Sequence, residues 1–442
     1  MFFLKPIKDP RSLLIIFIYF IFYFVLLEGC LRKWLLPTQY IELYFLKDFL
    51  LIFIYVFAIK YKFLGVNKYE KLIFILVGLI SVYGIIGFFI NKNNILAYVL
   101  GLRSYWIFVP LTLIIINVFK EKNFITFLKI NLYFVIIYFI LILFQTYSSP
   151  SAIINSGYNS LVMNPERPSG FFTYTTQNTF YFIFLTVIFY TYILIEKILS
   201  KKKIFFILFL NLILSIILIL LKSRAVYIYY FLIFFTAGLI VFFINQKNHL
   251  KLKKLIIILV TTPLFLILSA KAFDKQFKFS LNRINTDTHQ EMSLVKKFHE
   301  KNFLFLNLTN FCEKQSSICR IIDMLFFFSE NNTSAFGEGI GSGTSSVATM
   351  LKKNKLYLGE NENQRIINEL GFFLGFIIVM IKYFSIFLLF IFFFKKRAMT
   401  TFPFFLFVSV QLLIGNITYS TTFTSFIFWF SLGMFINNLK KS

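Results

Sequence analysis

Runs of about 20 mostly apolar residues, the length an α-helix needs to cross a bilayer, recur along almost the whole of this chain. They lie near 12–28, 43–62, 71–90, 96–118, 124–146, 176–195, 204–221, 225–245, 254–271, 366–394, 401–416 and 420–437. A sequence written this way predicts an all-α polytopic membrane protein of about twelve transmembrane helices. The last two runs are divided only by the Gly415-Asn416 link. The first run follows Lys5, Lys8 and Arg11 and lacks a small-residue cleavage site, so it reads as a retained anchor.

Charge placement decides between two partner classes. Apolar residues make up 58% of the chain and charged residues 14%, where a soluble globule would carry roughly 25% charged residues. The net charge of +26 invites a nucleic-acid reading. Yet the lysines sit in short clusters between apolar runs and form no continuous basic face. Every second connection is basic: Lys60/Lys62/Lys68/Lys71, Lys120/Lys122/Lys129, Lys197/Lys201/Lys202/Lys203, Lys247/Lys251/Lys253/Lys254 and Lys395/Lys396/Arg397. By the positive-inside rule these connections and both termini are cytoplasmic. Membrane lipids are then the expected surroundings, and nucleic acid is not an expected partner.

Against that alternation some cations stand on the expected outer side, where topology does not need them. They are Arg32 and Lys33 in Glu28-Gly-Cys-Leu-Arg-Lys-Trp-Leu-Leu-Pro37, Arg103 in Gly101-Leu-Arg-Ser-Tyr105, Arg167 in Arg167-Pro-Ser-Gly170, and Lys222 with Arg224. Charge at membrane depth is costly and is kept mostly for function. A guanidinium stays charged and grips phosphate oxygens bidentately, so arginines converging on one cavity would suit a pyrophosphate. The plainer reading is that each snorkels to water or pairs with a nearby acid. For Lys33-Trp34 it is an interfacial anchor. Glu28 and Asp48, near the ends of the first two runs, are candidates to neutralise Arg32 and Lys33.

Between the ninth and tenth runs lies one long polar stretch, 273–365, too long for a connector. It reads as a large external (periplasmic) loop inserted into a single membrane domain spanning 1–442. Short surface helices are expected over 274–330, and Gly-Glu-Gly-Ile-Gly-Ser-Gly at 337–343 is a flexible turn or a close-approach loop. Cys312 and Cys319 lie close enough in sequence to pair in an oxidising compartment, which spacing alone leaves open; Cys30 reads as an inert membrane-edge residue. The loop closes on Glu360, Asn361, Glu362, Asn363 and Arg365. Glu360 or Glu362 could take a proton from an attacking sugar hydroxyl, or could simply complement a helix N-terminus. No Walker loop, zinc-ligand spacing, dinucleotide fingerprint or Gly-x-Ser-x-Gly elbow occurs. His249, His289 and His299 are isolated in sequence, so neither a metal nor a cofactor is expected.

Three elements, in order, resemble the O-antigen polymerase and ligase family. Arg167-Pro-Ser-Gly-Phe-Phe-Thr-Tyr174 is similar to the family's arginine–glycine–phenylalanine segment opening a central span. Leu221-Lys-Ser-Arg-Ala225 is similar to its Ser-Arg turn. Gly337-Glu-Gly-Ile-Gly341, with Glu360–Arg365 and Glu369-Leu-Gly371, is similar to the end of its large periplasmic loop. The resemblance covers roughly 165–375 and implies a GT-C-like membrane glycosyltransferase fold in the bacterial cytoplasmic (inner) membrane. The implied substrate is an undecaprenyl-pyrophosphate-linked glycan. Arg167 and Arg224 would hold the pyrophosphate, assisted by Arg103, with Arg365, Arg32 and Lys33 as further ligands and Glu360 or Glu362 as base. Ligases of the family carry a histidine where this chain has Glu360-Asn361-Glu362-Asn363, which favours polymerase over ligase. A lipid-linked glycan transporter is the alternative from another class. A chain-length regulator or a flippase as stable partner is left open.

Overall fold

The computed structural model describes residues 9–37, 39–65, 67–90, 95–149, 151–156, 167–173, 175–196, 200–223, 226–227, 230–235, 249–273, 337, 339–341, 362–396, 401–414 and 422–441. Among them the chain is all-helical, without a strand. In order come α1 (Pro10–Cys30), α2 (Tyr40–Lys60), α3 (Lys68–Ile90), α4 (Ile95–Trp106), α5 (Val109–Val118) and α6 (Glu121–Tyr147). They are followed by α7 (Thr175–Ile195), α8 (Lys201–Leu220), α9 (His249–Ala272), α10 (Glu362–Lys396), α11 (Phe402–Ile414) and α12 (Thr422–Lys441). Six segments are long and apolar enough to cross a membrane: Pro10–Leu35, Tyr98–Val118, Glu121–Tyr147, Thr175–Ile195, Lys201–Leu220 and Arg365–Lys395. The expected run 225–245 and most of the loop 273–365, with Cys312 and Cys319, lie outside the described residues.

Local chemistry explains the helix ends. Asp9 caps α1, accepting from the Ser12 hydroxyl at 2.7 Å and the Arg11 N–H at 3.0 Å, with Pro10 in the first turn. These two bonds, the Ser12 bond first, hold its carboxyl below the usual carboxylate range. At the other end α1 runs on into a π-helical turn, Leu31–Leu35, which re-aims Arg32, Lys33 and Trp34. The run near 96–118 is two helices, α4 and α5, parted at Ile107-Phe108. Pro110, in the first turn of α5, has no N–H for a helix continuing through it.

The centre of the bundle is α7. Every side chain from 180 to 194 is buried, as expected of a helix apolar all round its circumference. Around it pack α6, α11 and α12, with α5 laid against α12. Polar side chains then fix register inside an apolar medium, at about 0.6 kcal/mol per interhelical bond. The Thr112 hydroxyl donates to the Trp429 carbonyl at 2.8 Å. Asn437 donates to Ile116 O at 2.7 Å and Arg11 Nε to Val118 O at 2.8 Å, so both satisfy carbonyls at the C-terminus of α5. Asn211 on α8 donates to Thr262 Oγ1 on α9 at 2.9 Å. The outward faces are apolar, as on α10 with Phe372, Phe373, Phe376, Ile377, Ile381 and Phe384, so the surface suits lipid.

One expectation needs correcting. The sequence predicts a polar loop ending at 365 and a straight span over 366–394. Instead α10 starts at Glu362 and reverses at Gly371, whose φ of 80° and ψ of 167° are non-helical. The two arms, 362–370 and 372–396, lie antiparallel. The contacts pair residues on either side of the turn: Glu362 with Lys382, Asn363 with Tyr383, and Ile367 against Gly375. A Cβ on Gly375 would stand 2.5 Å from the Ile367 Cα, so the arms touch through backbone. Glycine serves twice here, for the left-handed φ at 371 and for the close approach at 375.

Candidate functional site: an uncompensated cation pair

The loop 167–173, between α6 and α7, is pinned from both helices. Gln145, near the end of α6, pairs with both backbone groups of one residue: its Oε1 accepts the Gly170 N–H at 2.7 Å and its Nε2 donates to the Gly170 carbonyl at 3.1 Å. The same Nε2 lies 2.9 Å from the Ile154 carbonyl. From the first turn of α7, Asn178 donates to the Pro168 carbonyl at 2.8 Å. Asn178 is itself set by the Tyr138 hydroxyl, which donates to its Oδ1 at 2.6 Å. Gly170 has φ 60°, and a Cβ there would run into the Asn178 amide. Phe171 and Phe172 are buried beneath, where the backbone passes directly against Gly29 of α1.

What this loop presents is positive. Lys33, 4% exposed, donates from Nζ to Ser169 Oγ at 2.8 Å and to the Gly170 carbonyl at 3.2 Å, with the Trp34 ring centroid 4.8 Å away. Arg167 is half-buried, and its Nε is shielded from solvent without a hydrogen-bond partner. Among the described residues no carboxylate pairs with Lys33 or Arg167. An unpaired buried charge costs several kcal/mol, and an unsatisfied donor adds its own penalty.

The other predicted cations meet a carboxylate. Glu28 takes Arg32 at 3.2 Å and Lys47 at 2.8 Å. Asp48 takes Arg103 through both oxygens, one at 3.1 Å. The acids at 28 and 48 thus serve three cations, Arg32, Lys47 and Arg103, and no hydrogen bond or ion pair joins either acid to Lys33. The structure adds Lys47, 1% exposed, which was visible in the sequence only as a charged Lys47-Asp48 step inside an apolar run. Arg365 and Glu369, each 1% exposed, pair at 2.6 Å, and the Tyr105 hydroxyl donates to Glu369 at 2.8 Å. Glu362 is tied to Lys382 at 3.3 Å, and Lys382 also donates to Asn363 at 2.7 Å.

The polar groups form a ladder through four helices at one end of the bundle. It steps from Ser169 to Lys33, then through Arg32, Glu28 and Lys47 to Asp48 and Arg103, and from the neighbouring Tyr105 to Glu369 and Arg365. The glycine segment joins it: the Gly339 N–H donates to the Glu369 carbonyl at 3.0 Å, while Ile340 and Gly341 fit against Gly101 of α4. That close fit is one of the two roles the glycine run allowed. Glu360 and Arg224 lie outside the described residues. Ser223, beside Arg224, is buried with its Oγ 3.5 Å from Thr179 Oγ1, next to Asn178. Of the predicted site residues, then, Lys33 is bonded to the loop that carries Arg167, Arg32 stands beside Lys33 in the chain, and Arg103 and Arg365 stand further along the ladder. Glu362 lies on the short arm of the α10 hairpin.

An ammonium bonded to this loop and a guanidinium carried on it are the kinds of group that bind a multiply charged oxyanion such as a phosphate or diphosphate. Among the described residues, no three or more His, Cys, Asp and Glu side chains gather to hold a metal ion. No family model matches the chain, and neither does any curated protein or solved structure.

Proposed function

We propose that this protein is a glycan polymerase that joins undecaprenyl-pyrophosphate-linked repeat units at the outer face of a bacterial cytoplasmic membrane. In this reading the bundle has about twelve spans in a GT-C-like arrangement, with both termini cytoplasmic and the Lys33–Arg167 end outward. The observation that carries it is a buried Lys33 and a half-buried Arg167, neither paired with an acid among the described residues, meeting at one loop that five side-chain hydrogen bonds pin: Lys33 bonds it and Arg167 belongs to it. Such a site is incomplete until an anion occupies it. The order of the Arg167, Arg224 and Gly337 segments, similar to that of O-antigen polymerases and ligases, supplies the chemical class.

The reaction is a substitution at an anomeric carbon. A hydroxyl of one lipid-linked unit attacks the anomeric carbon of the other. A C–O bond forms, the bond to the pyrophosphate oxygen breaks, and the lipid pyrophosphate leaves with the electron pair. The hydroxyl proton passes to a carboxylate, for which Glu360 and Glu362 are the candidates. Lys33, Arg167 and Arg224 stabilise the charge that develops on the leaving group. Removing one such fixed contact should cost about 3 kcal/mol of barrier, or ~100-fold in rate.

The test is glycan analysis of a deletion strain complemented with wild type, Arg167→Ala, Arg224→Ala or Lys33→Met at equal protein level. Single repeat units in the deletion, and failure of Arg167→Ala and Lys33→Met to restore long chains, support the polymerase. Normal chain length in both would sink it. Accumulation of finished polymer on the carrier lipid would instead mark a ligase, and trapping of repeat units on the cytoplasmic face would mark a transporter.

A further inference from the structure

We propose that Gln145 and Asn178 are positioning residues, which fix the loop that bonds Lys33 and carries Arg167 so that both can engage one diphosphate; the inference rests on the anion-site reading above. Neither amide carries charge, and neither fills a gap that an apolar side chain of equal size could not fill. Both are nearly or fully buried, and both spend their bonds on one short piece of backbone. Gln145 matches both backbone groups of Gly170 with donor and acceptor together, at 3.1 Å and 2.7 Å. Asn178 holds the carbonyl two residues earlier, at 2.8 Å. Between the two held points stands Ser169, whose hydroxyl receives Lys33, and immediately before the first stands Arg167.

The clamp has a chemical consequence for Lys33. The Gly170 carbonyl accepts from both Gln145 Nε2 and Lys33 Nζ, so the amide fixes one of the two oxygens that steer the ammonium. Asn178 also lies against Gly170, where a Cβ would overlap its amide, and thereby enforces the left-handed turn. Tyr138 completes the assembly by donating to Asn178 Oδ1, which leaves Asn178 Nδ2 to face the Pro168 carbonyl. Displacement of a binding group by about 1 Å can cost up to two orders of magnitude in rate, and rigid second contacts prevent such drift.

The test is a double-mutant cycle on the full-length protein in detergent. It reads binding of farnesyl diphosphate and of inorganic pyrophosphate by calorimetry, with thermal unfolding recorded alongside. Gln145→Met is near-isosteric and removes both bonds to Gly170. It should weaken farnesyl diphosphate at least about tenfold, and the loss should largely vanish when Arg167→Ala is already present, because both act through one contact. A general loss of structure would not show that coupling. Should Gln145→Met not run as a folded species, Asn178→Leu, which removes the bond to the Pro168 carbonyl without adding charge, takes its place. Unchanged binding in the folded variant, or losses that add independently of Arg167, would overturn the inference. If Arg167→Ala itself leaves diphosphate binding intact, the anion-site reading fails instead. Tighter binding of farnesyl diphosphate than of inorganic pyrophosphate assigns the site to a lipid headgroup rather than the free anion.

Discussion

Two lysines in the same part of the molecule show how environment decides what a buried charge is for. Lys47 and Lys33 are both almost inaccessible, but Lys47 has Glu28 at 2.8 Å while Lys33 has only a hydroxyl, a carbonyl and a ring face. Removing one partner of a buried ion pair strands the other, at roughly 3–5 kcal/mol. Lys47→Met should therefore destabilise the protein by about 3 kcal/mol, and adding Glu28→Gln should recover part of that loss. Lys33→Met removes a charge that no acid balances, so its thermal stability should stay within about 1 kcal/mol of wild type while diphosphate binding falls. Thermal unfolding in detergent compares the two. Equal losses would mean that Lys33 is a structural cation and carries no ligand.

At the scale of elements, the α10 hairpin makes the sharpest claim. In a continuous helix, residues 362 and 382 would lie about 30 Å apart, at 1.5 Å per residue. In the folded chain their side chains meet at 3.3 Å. Glu362→Cys with Lys382→Cys, in a background without Cys30, Cys312 and Cys319, should form a disulfide on mild oxidation, seen as a mobility shift reversed by reductant. Absence of the cross-link in folded protein would restore the straight helix. Gly375→Leu should also be damaging, because its side chain would enter the space of the Ile367 backbone. The hairpin also limits what Glu362 can do as a base. While Lys382 holds it, the carboxylate is not free to rotate. Lys382→Met therefore separates the two roles: a latch role predicts loss of the fold, and a quenching role predicts gain of activity.

For the molecule as a whole, the division between apolar and charged segments was legible along the chain. Run 124–146 is α6, 176–195 is α7, 204–221 is α8 and 420–437 is α12, each within a few residues. Transfer from water to hydrocarbon depends on composition summed over about 20 residues, so a linear sequence carries it in full. The expected sidedness has its own check. In intact cells, a cysteine at the exposed Leu36 beyond α1 should react with an impermeant maleimide, and one at Lys202 should react only after lysis. The same logic made the outer cations conspicuous, because charge is rare in apolar runs. It could not choose their partners: the sequence offered Glu28 and Asp48 to Arg32 and Lys33, and the fold gave them chiefly to Lys47 and Arg103. Nor could it see the reversal at Gly371 or the parting of α4 from α5, since hydrophobicity is unchanged when a helix breaks or turns back on itself. Sequence by itself thus determined where the chain is apolar, where it is basic and which residues are costly to bury. Tertiary structure alone decided which cations meet a carboxylate and that Lys33 and Arg167 meet none among the described residues, because pairing depends on the helices that meet, and burial of a charge has no fixed cost until its neighbours are set.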